Sequence, residues 1–284
     1  MDRRRANQVA RELEDLVRVI GDEARDGRLG RAADAPEHRL EHARNLYHVT
    51  VSFPAISEEN PLKVRLRRGE VVVGAFMTIS GPEVVEICGL AGCDFVIIDT
   101  EHTPVGWERI SSMVLAGLLT DTCPIIRVAS TRRDVATRAL DTGARGIMYA
   151  QVPDAVSARE GVAGAMYPPE GVRGVIGGRA FGYGLRGTLP DYISAANRHV
   201  TCVVQVETRG AVADAEAMCA VPGVDCVFVG LSDLSVDLGH PGNFAHPEVE
   251  AALDRVVAAA RPHGVAVGIP IADLSRAGAY RARG

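Results

Sequence analysis

Residues 95–104 read FVIIDTEHTP, a run of four apolar residues that stops at Asp99 and then offers Glu101 and His102. An imidazole flanked by carboxylates is a proton-moving arrangement, because one acid can orient the ring while it acts as a base. Other apolar runs end in the same way. PIIRV carries Arg127, CVVQVE delivers Gln205 and Glu207, and VFVGLSDLS delivers Asp233. Two carboxylates, here Glu207 and Asp233, form a ligand set for a hard divalent cation such as Mg2+ or Mn2+. Such a cation can hold a 2-oxo acid through its carboxylate and keto oxygens, and an arginine can neutralise the charge that develops on enolisation. Each residue also has an ordinary occupation: Arg127 in a surface ion pair, Glu207 at a helix start, Asp233 as an N-cap. Their recurrence at the ends of consecutive runs favours the chemical reading.

The elements that must carry these groups alternate. Short β-rich runs (VVVGAF 71–76, DFVIID 94–99, PIIRV 124–128, RGIMY 145–149, CVVQV 202–206, DCVFVG 225–230, VAVGI 265–269) are separated by amphipathic stretches. Strands that are apolar on both faces and alternate with helices indicate a parallel sheet. Seven such units within about 200 residues predict a (β/α)8 TIM barrel, whose chemistry sits at the carboxyl ends of its strands. No G-x-G-x-x-G follows the first strand, which argues against a dinucleotide-binding fold. The eighth β/α unit is lacking, since VAVGIPIADLSRAGAYRARG leaves room for a seventh helix only. Coverage by N-terminal helices, closure by a second protomer and truncation of the chain would each account for the gap.

Residues 1–60 are rich in Arg, Glu and Asp and are expected to form a helical extension. Val9, Leu13, Leu16, Val17 and Ile20 mark one amphipathic helix and roughly 36–47 a second, with the barrel domain spanning 61–284. The net charge of -5 and low aromatic content give no footprint for nucleic acid. No apolar run reaches the roughly 18 residues of a bilayer span. The N-terminus lacks the apolar core of a secretory signal, so a cytoplasmic protein is expected. Six scattered cysteines with no C-x-x-C pair read as buried thiols. The chain has a single lysine, Lys63, placed before the first strand, where it suits neither a Schiff base nor a phosphate loop. The glycine-rich stretch 173–184 reads as a mobile loop over the rim, with Arg179 and Tyr183 as substrate contacts. His240 and His246, the latter in His246-Pro247-Glu248, read as structural residues at a helix start.

The stretches GCDFVIIDTEHTP, PIIRVAS with RALDTGARGIM, YPPEGVRGV, VVQVETRGAV and GVDCVFVGLSDLSVDLGHPGN with HPEVEAALDRVV resemble the HpcH/HpaI aldolases over residues 61–270. These are metal-dependent pyruvate aldolases built on a barrel. The resemblance implies Glu207 and Asp233 as metal ligands, Arg127 at the keto oxygen, His102 with Asp99 as a catalytic dyad, and Asp141 as a further acid near that dyad. Gln205 and Ser232 would lie beside the pyruvyl group. The implied cofactor is Mg2+, Mn2+ or Co2+, the implied partners a 2-oxo acid and an aldehyde, and the implied assembly a homo-oligomer. Gly230-Leu231-Ser232-Asp233 stands where relatives have Gly-Pro-Ala-Asp. Thr100 replaces a usual glycine, and Tyr149-Ala150-Gln151 a Val-Pro-Met type sequence. The leading expectation is a class II aldolase, a carbon–carbon lyase acting on a 4-hydroxy-2-oxo acid. Two alternatives accompany it: oxaloacetate decarboxylation with enolate capture, as in the related macrophomate synthase, and a non-catalytic binding protein.

Overall fold

A computed structural model describes residues 59–185 and 187–284. The N-terminal extension and its two expected helices lie outside the described residues, apart from positions 59 and 60. Seven strands form one sheet in sequential order: β1 (Gly74–Met77), β2 (Phe95–Asp99), β3 (Cys123–Val128), β4 (Gly146–Tyr149), β5 (Thr201–Val206), β6 (Cys226–Val229) and β7 (Ala266–Gly268). Every neighbouring pair is parallel. Helices separate the strands: α1 (Pro61–Arg67), α2 (Pro82–Leu90), α3 (Trp107–Leu119), α4 (Arg133–Asp141), α5 (Ala155–Ala165), α6 (Leu189–His199), α7 (Arg209–Ala213), α8 (Ala215–Cys219), α9 (Leu231–Asp237), α10 (Pro247–Ala260) and α11 (Ala277–Arg283).

The period of two along each strand sorts side chains into two layers. Ile97, Ile125, Met148, Val203, Cys226 and Phe228 form one cluster, which fills the concave side of the sheet. Their neighbours Val96, Ile98, Ile126, Ile147, Val204 and Val227 pack outward against the helices. The sheet curls far enough for Phe76 of β1 to meet Phe228 of β6 edge-on, with ring centroids 5.8 Å apart. It does not close: among the described residues, β1 pairs only with β2 and β7 only with β6. The structure is therefore an open, uncompleted (β/α)8-like barrel in which the seventh strand is followed by a helix, α11, as the sequence predicts. Arg276 and Arg283 tie that last segment to Glu250 of α10.

The amino end of the barrel is stoppered by α1. Asn60 caps this helix and donates to Arg145 O (3.1 Å), His199 O (2.9 Å) and Thr201 Oγ1 (3.0 Å). Lys63 is buried in a 2.9 Å ion pair with Asp225, so the only lysine is a structural plug. The glycine-rich stretch corrects its expectation. Arg179 and Tyr183 belong to a 3-10 turn (Arg179–Gly184), and the Arg179 stem packs on Gly143, in the loop leading into β4. That loop is at the amino end of the strands, so this stretch lies on the opposite face from the carboxyl rim.

Candidate active site at the carboxyl rim

Because 97, 125 and 203 face inward, so do 99, 127, 205 and 207 at the strands' carboxyl ends. The β2–β3 register sets Asp99 directly beside Arg127. Arg127 Nε and Nη2 donate to Asp99 Oδ1 and Oδ2 at 2.9 and 2.7 Å, a bidentate fork. Asp99 is 1% exposed. Burial alone would disfavour its charge, but the Arg127 hydrogen bonds and the Glu101 N–H outweigh it and hold the carboxyl below its usual range. Arg127 also lies over the Phe76 ring, 5.0 Å from its centroid. Its remaining Nη1 faces Glu101 Oε2 at 3.3 Å.

The expected dyad takes a different form. Asp99 meets His102 only through the His102 backbone N–H at 3.4 Å, because its oxygens are engaged by Arg127, the Glu101 N–H and the Thr103 hydroxyl. The imidazole lies instead beside Glu101, with Nε2 3.5 Å from Oε2, and is largely exposed at the rim. Asp141 is not near this group. It closes α4, whose carboxyl end lies at the amino face of the sheet, and there accepts a 2.8 Å bond from Arg173.

Glu207 follows the last residue of β5, and Thr208 caps α7 by accepting from Ala211 N–H. The cap frees Glu207 from the helix and leaves its carboxylate in the barrel mouth, 3% exposed. Gln205 Nε2 donates to Glu207 Oε1 (2.7 Å), and the Gln151 N–H donates to Oε2 (3.0 Å). Burial pushes the Glu207 carboxyl up to about 7; the Gln151 N–H opposes this, Asp233 and Glu101 add to it, and Arg127 opposes it. Gly230 is required beside it, because a Cβ there would overlap Glu207 Oε1. Ser232 and Asp233 are exposed on the first turn of α9, with Gly230 rather than Asp233 at the cap.

Glu101, noted beside His102 in the sequence but assigned no role of its own, and Gln151 also belong to this group. Glu101 touches both Arg127 and His102. Gln151 sits at φ 51° after β4 and reaches both acids, its N–H on Glu207 and its Nε2 on Glu101 Oε1 at 3.1 Å. The departure from a Val-Pro-Met sequence was the one sign of it in the chain.

The donor set fits a hard cation. Asp233 adds to the upward push on the Glu207 carboxyl, and the buried Gln205 Oε1 has no hydrogen-bond partner. A divalent ion would relieve the repulsion and use oxygen donors of this type. A separate group, His240, His246 and Glu248, brings three ligand atoms within 4.8 Å of one another. His246 caps α10 as expected of a helix start. Among the described residues, no helix is long and apolar enough to cross a membrane.

Residues 73–284 match the family described as HpcH/HpaI aldolase/citrate lyase. The chain belongs to the HpcH/HpaI aldolase/citrate lyase family. It is 36% identical over 232 residues to a hydroxypyruvate/pyruvate aldolase of Paraburkholderia phytofirmans, covering 79% of this chain and 88% of that one. Identity is also 36%, over 211 residues, to a 5-keto-4-deoxy-D-glucarate aldolase of Klebsiella pneumoniae, covering 74% and 81%. A crystal structure of an HpcH/HpaI family protein from Burkholderia cenocepacia superposes with TM-score 0.74 at 38% identity, covering 79% and 90%. Aldolases and citrate lyases both make or break carbon–carbon bonds. The activity of this HpcH/HpaI member is that of a carbon–carbon lyase.

Proposed function

We propose that the chain is a class II aldolase that cleaves, or forms, a 4-hydroxy-2-oxo acid through a pyruvate enolate. The observation that carries this reading is the Arg127–Asp99 fork beside the buried Glu207. In the reading, Glu207 and Asp233 hold Mg2+, Mn2+ or Co2+, which supplies Lewis acidity toward the 2-oxo group when bound. Asp99 fixes the guanidinium, so Arg127 Nη1 is presented toward the keto oxygen without reorganisation and stabilises the charge that develops there. Gln205 and Ser232 border the pyruvyl group. His102 moves the proton at the carbon or hydroxyl being made or broken, with Glu101 as the acid at its ring.

Relatives named for pyruvate and keto-deoxy-glucarate substrates support a 2-oxo acid paired with a small aldehyde. Six free thiols, four of them buried, support a reducing compartment such as the cytoplasm. A homo-oligomer and a role for Asp141 belong to the reading through the family pattern; Asp141 would act only from another subunit, since its own rim is out of reach. The direct test is deuterium exchange into the pyruvate methyl group, followed by NMR in D2O. Metal-dependent exchange that Arg127→Lys abolishes supports enolate formation regardless of the aldehyde. No exchange with any of the three metals would overturn it.

A further inference from the structure

His240, His246 and Glu248 converge where the connection after α9 enters α10. His240 Nε2 lies 3.0 Å from Glu248 Oε2. The two imidazoles stack with centroids 3.3 Å apart and an interplanar angle of 22°. All three residues are half-buried, so an ion can reach them from solvent. The capping role needs only one histidine, with His246 Nδ1 accepting the Glu248 N–H at 3.2 Å. Capping gives no reason for a second imidazole and a carboxylate on the same spot.

We propose that His240, His246 and Glu248 form a binding site for a borderline divalent transition ion such as Zn2+, separate from the Glu207/Asp233 pair. Two imidazoles and one carboxylate suit Zn2+, Co2+ or Ni2+, whereas Mg2+ prefers oxygen donors throughout. The ligand atoms of all three side chains lie within 4.8 Å of one another, close enough to share one ion. Arg209 Nη1 donates to Oε1 at 2.8 Å, as an outer partner that orients a ligand does, and an ion would take the place of the His240 proton between Nε2 and Oε2. Water would complete the coordination.

The site is coupled to both acids of the rim. His240 N–H donates to Ser235 O (2.7 Å), Gly242 N–H to Ser235 Oγ (3.0 Å), and that hydroxyl donates to Ser232 O (2.7 Å), next to Asp233. Arg209, two residues after Glu207, donates its N–H to Asp237 Oδ2 at 2.6 Å. An ion held here braces from outside the two segments that present Glu207 and Asp233. The inference does not depend on the aldolase reading, because binding is measurable without turnover.

Metal binding takes a lone pair from His246 and competes with its capping bond. His246→Asn removes the imidazole yet keeps a side chain that caps well. The test uses the full chain carrying Glu207→Gln, stripped with EDTA, dialysed against Zn2+ in excess Mg2+ and analysed for bound zinc. One equivalent of zinc is expected, with at least a tenfold loss of affinity when His240→Gln and His246→Asn are added. Circular dichroism of the triple variant establishes that it is folded. No zinc bound by the Glu207→Gln protein, or zinc binding that survives loss of both histidines, overturns the proposal.

Discussion

Glu207→Gln should change the pH dependence of stability in a way that reports the buried carboxylate directly. The folded carboxyl is raised from 4.5 to about 7. At about 1.4 kcal/mol per pKa unit, the full shift corresponds to about 3 kcal/mol. Solvent at the barrel mouth reduces this to about 2 kcal/mol. A raised carboxyl binds its proton more tightly folded than unfolded, so stability is highest below 4.5 and falls as pH rises toward and through 7. The amide in the variant does not ionise and escapes that loss. It does set an NH2 against one of the two donors on Glu207, from Gln205 or Gln151, a constant penalty of about 1 kcal/mol at every pH. The prediction is therefore the slope. In EDTA, the variant should gain about 2 kcal/mol on the wild type between pH 5 and 8, read from urea unfolding. With Mn2+ at pH 8 the order should reverse, because only the wild type gains stability from the ligand. Parallel pH profiles for the two proteins would refute the account of Glu207.

Three further outcomes follow from the packing. Arg127→Lys keeps the charge but loses the fork on Asp99, so turnover of a 2-oxo acid should fall about 10²-fold or more in a steady-state assay. Gly230→Ala should displace the Glu207 carboxylate that its Cβ overlaps, weakening Mn2+ binding at least tenfold by calorimetry while the fold persists by circular dichroism. Lys63→Met strands Asp225 in the barrel base and should cost about 3–5 kcal/mol by urea unfolding, much of it recovered when Asp225→Leu is added.

The strand ends were legible in the sequence because a parallel barrel puts chemistry where apolar runs stop, and Asp99, Arg127, Gln205 and Glu207 do share one mouth. The pairing within that mouth was not. Proximity in sequence suggested Asp99 for His102, whereas strand register delivers Asp99 to Arg127 and leaves the ring beside Glu101. The role of Gln151 was not legible for a related reason. Its reach to two acids depends on a left-handed backbone turn that its residue type does not announce. The first strand was read as 71–76 but begins at Gly74. On the unpaired edge of the sheet Val71 and Val73 stay 55% and 63% exposed, so β-branched residues alone did not extend the strand. Asp141 and the 173–184 stretch were referred to the rim, yet helix direction carries both to the other face.

The central claim is that a cation-dependent carbon–carbon lyase site is assembled from Glu207, Asp233 and Arg127. It is tested most directly by following pyruvate release from a 4-hydroxy-2-oxo acid, first in EDTA and then with Mg2+, Mn2+ or Co2+ restored. The account predicts no release in EDTA, recovery with at least one of these metals, and no recovery in Glu207→Gln. Release that persists in EDTA, or equal activity of Glu207→Gln, would contradict it.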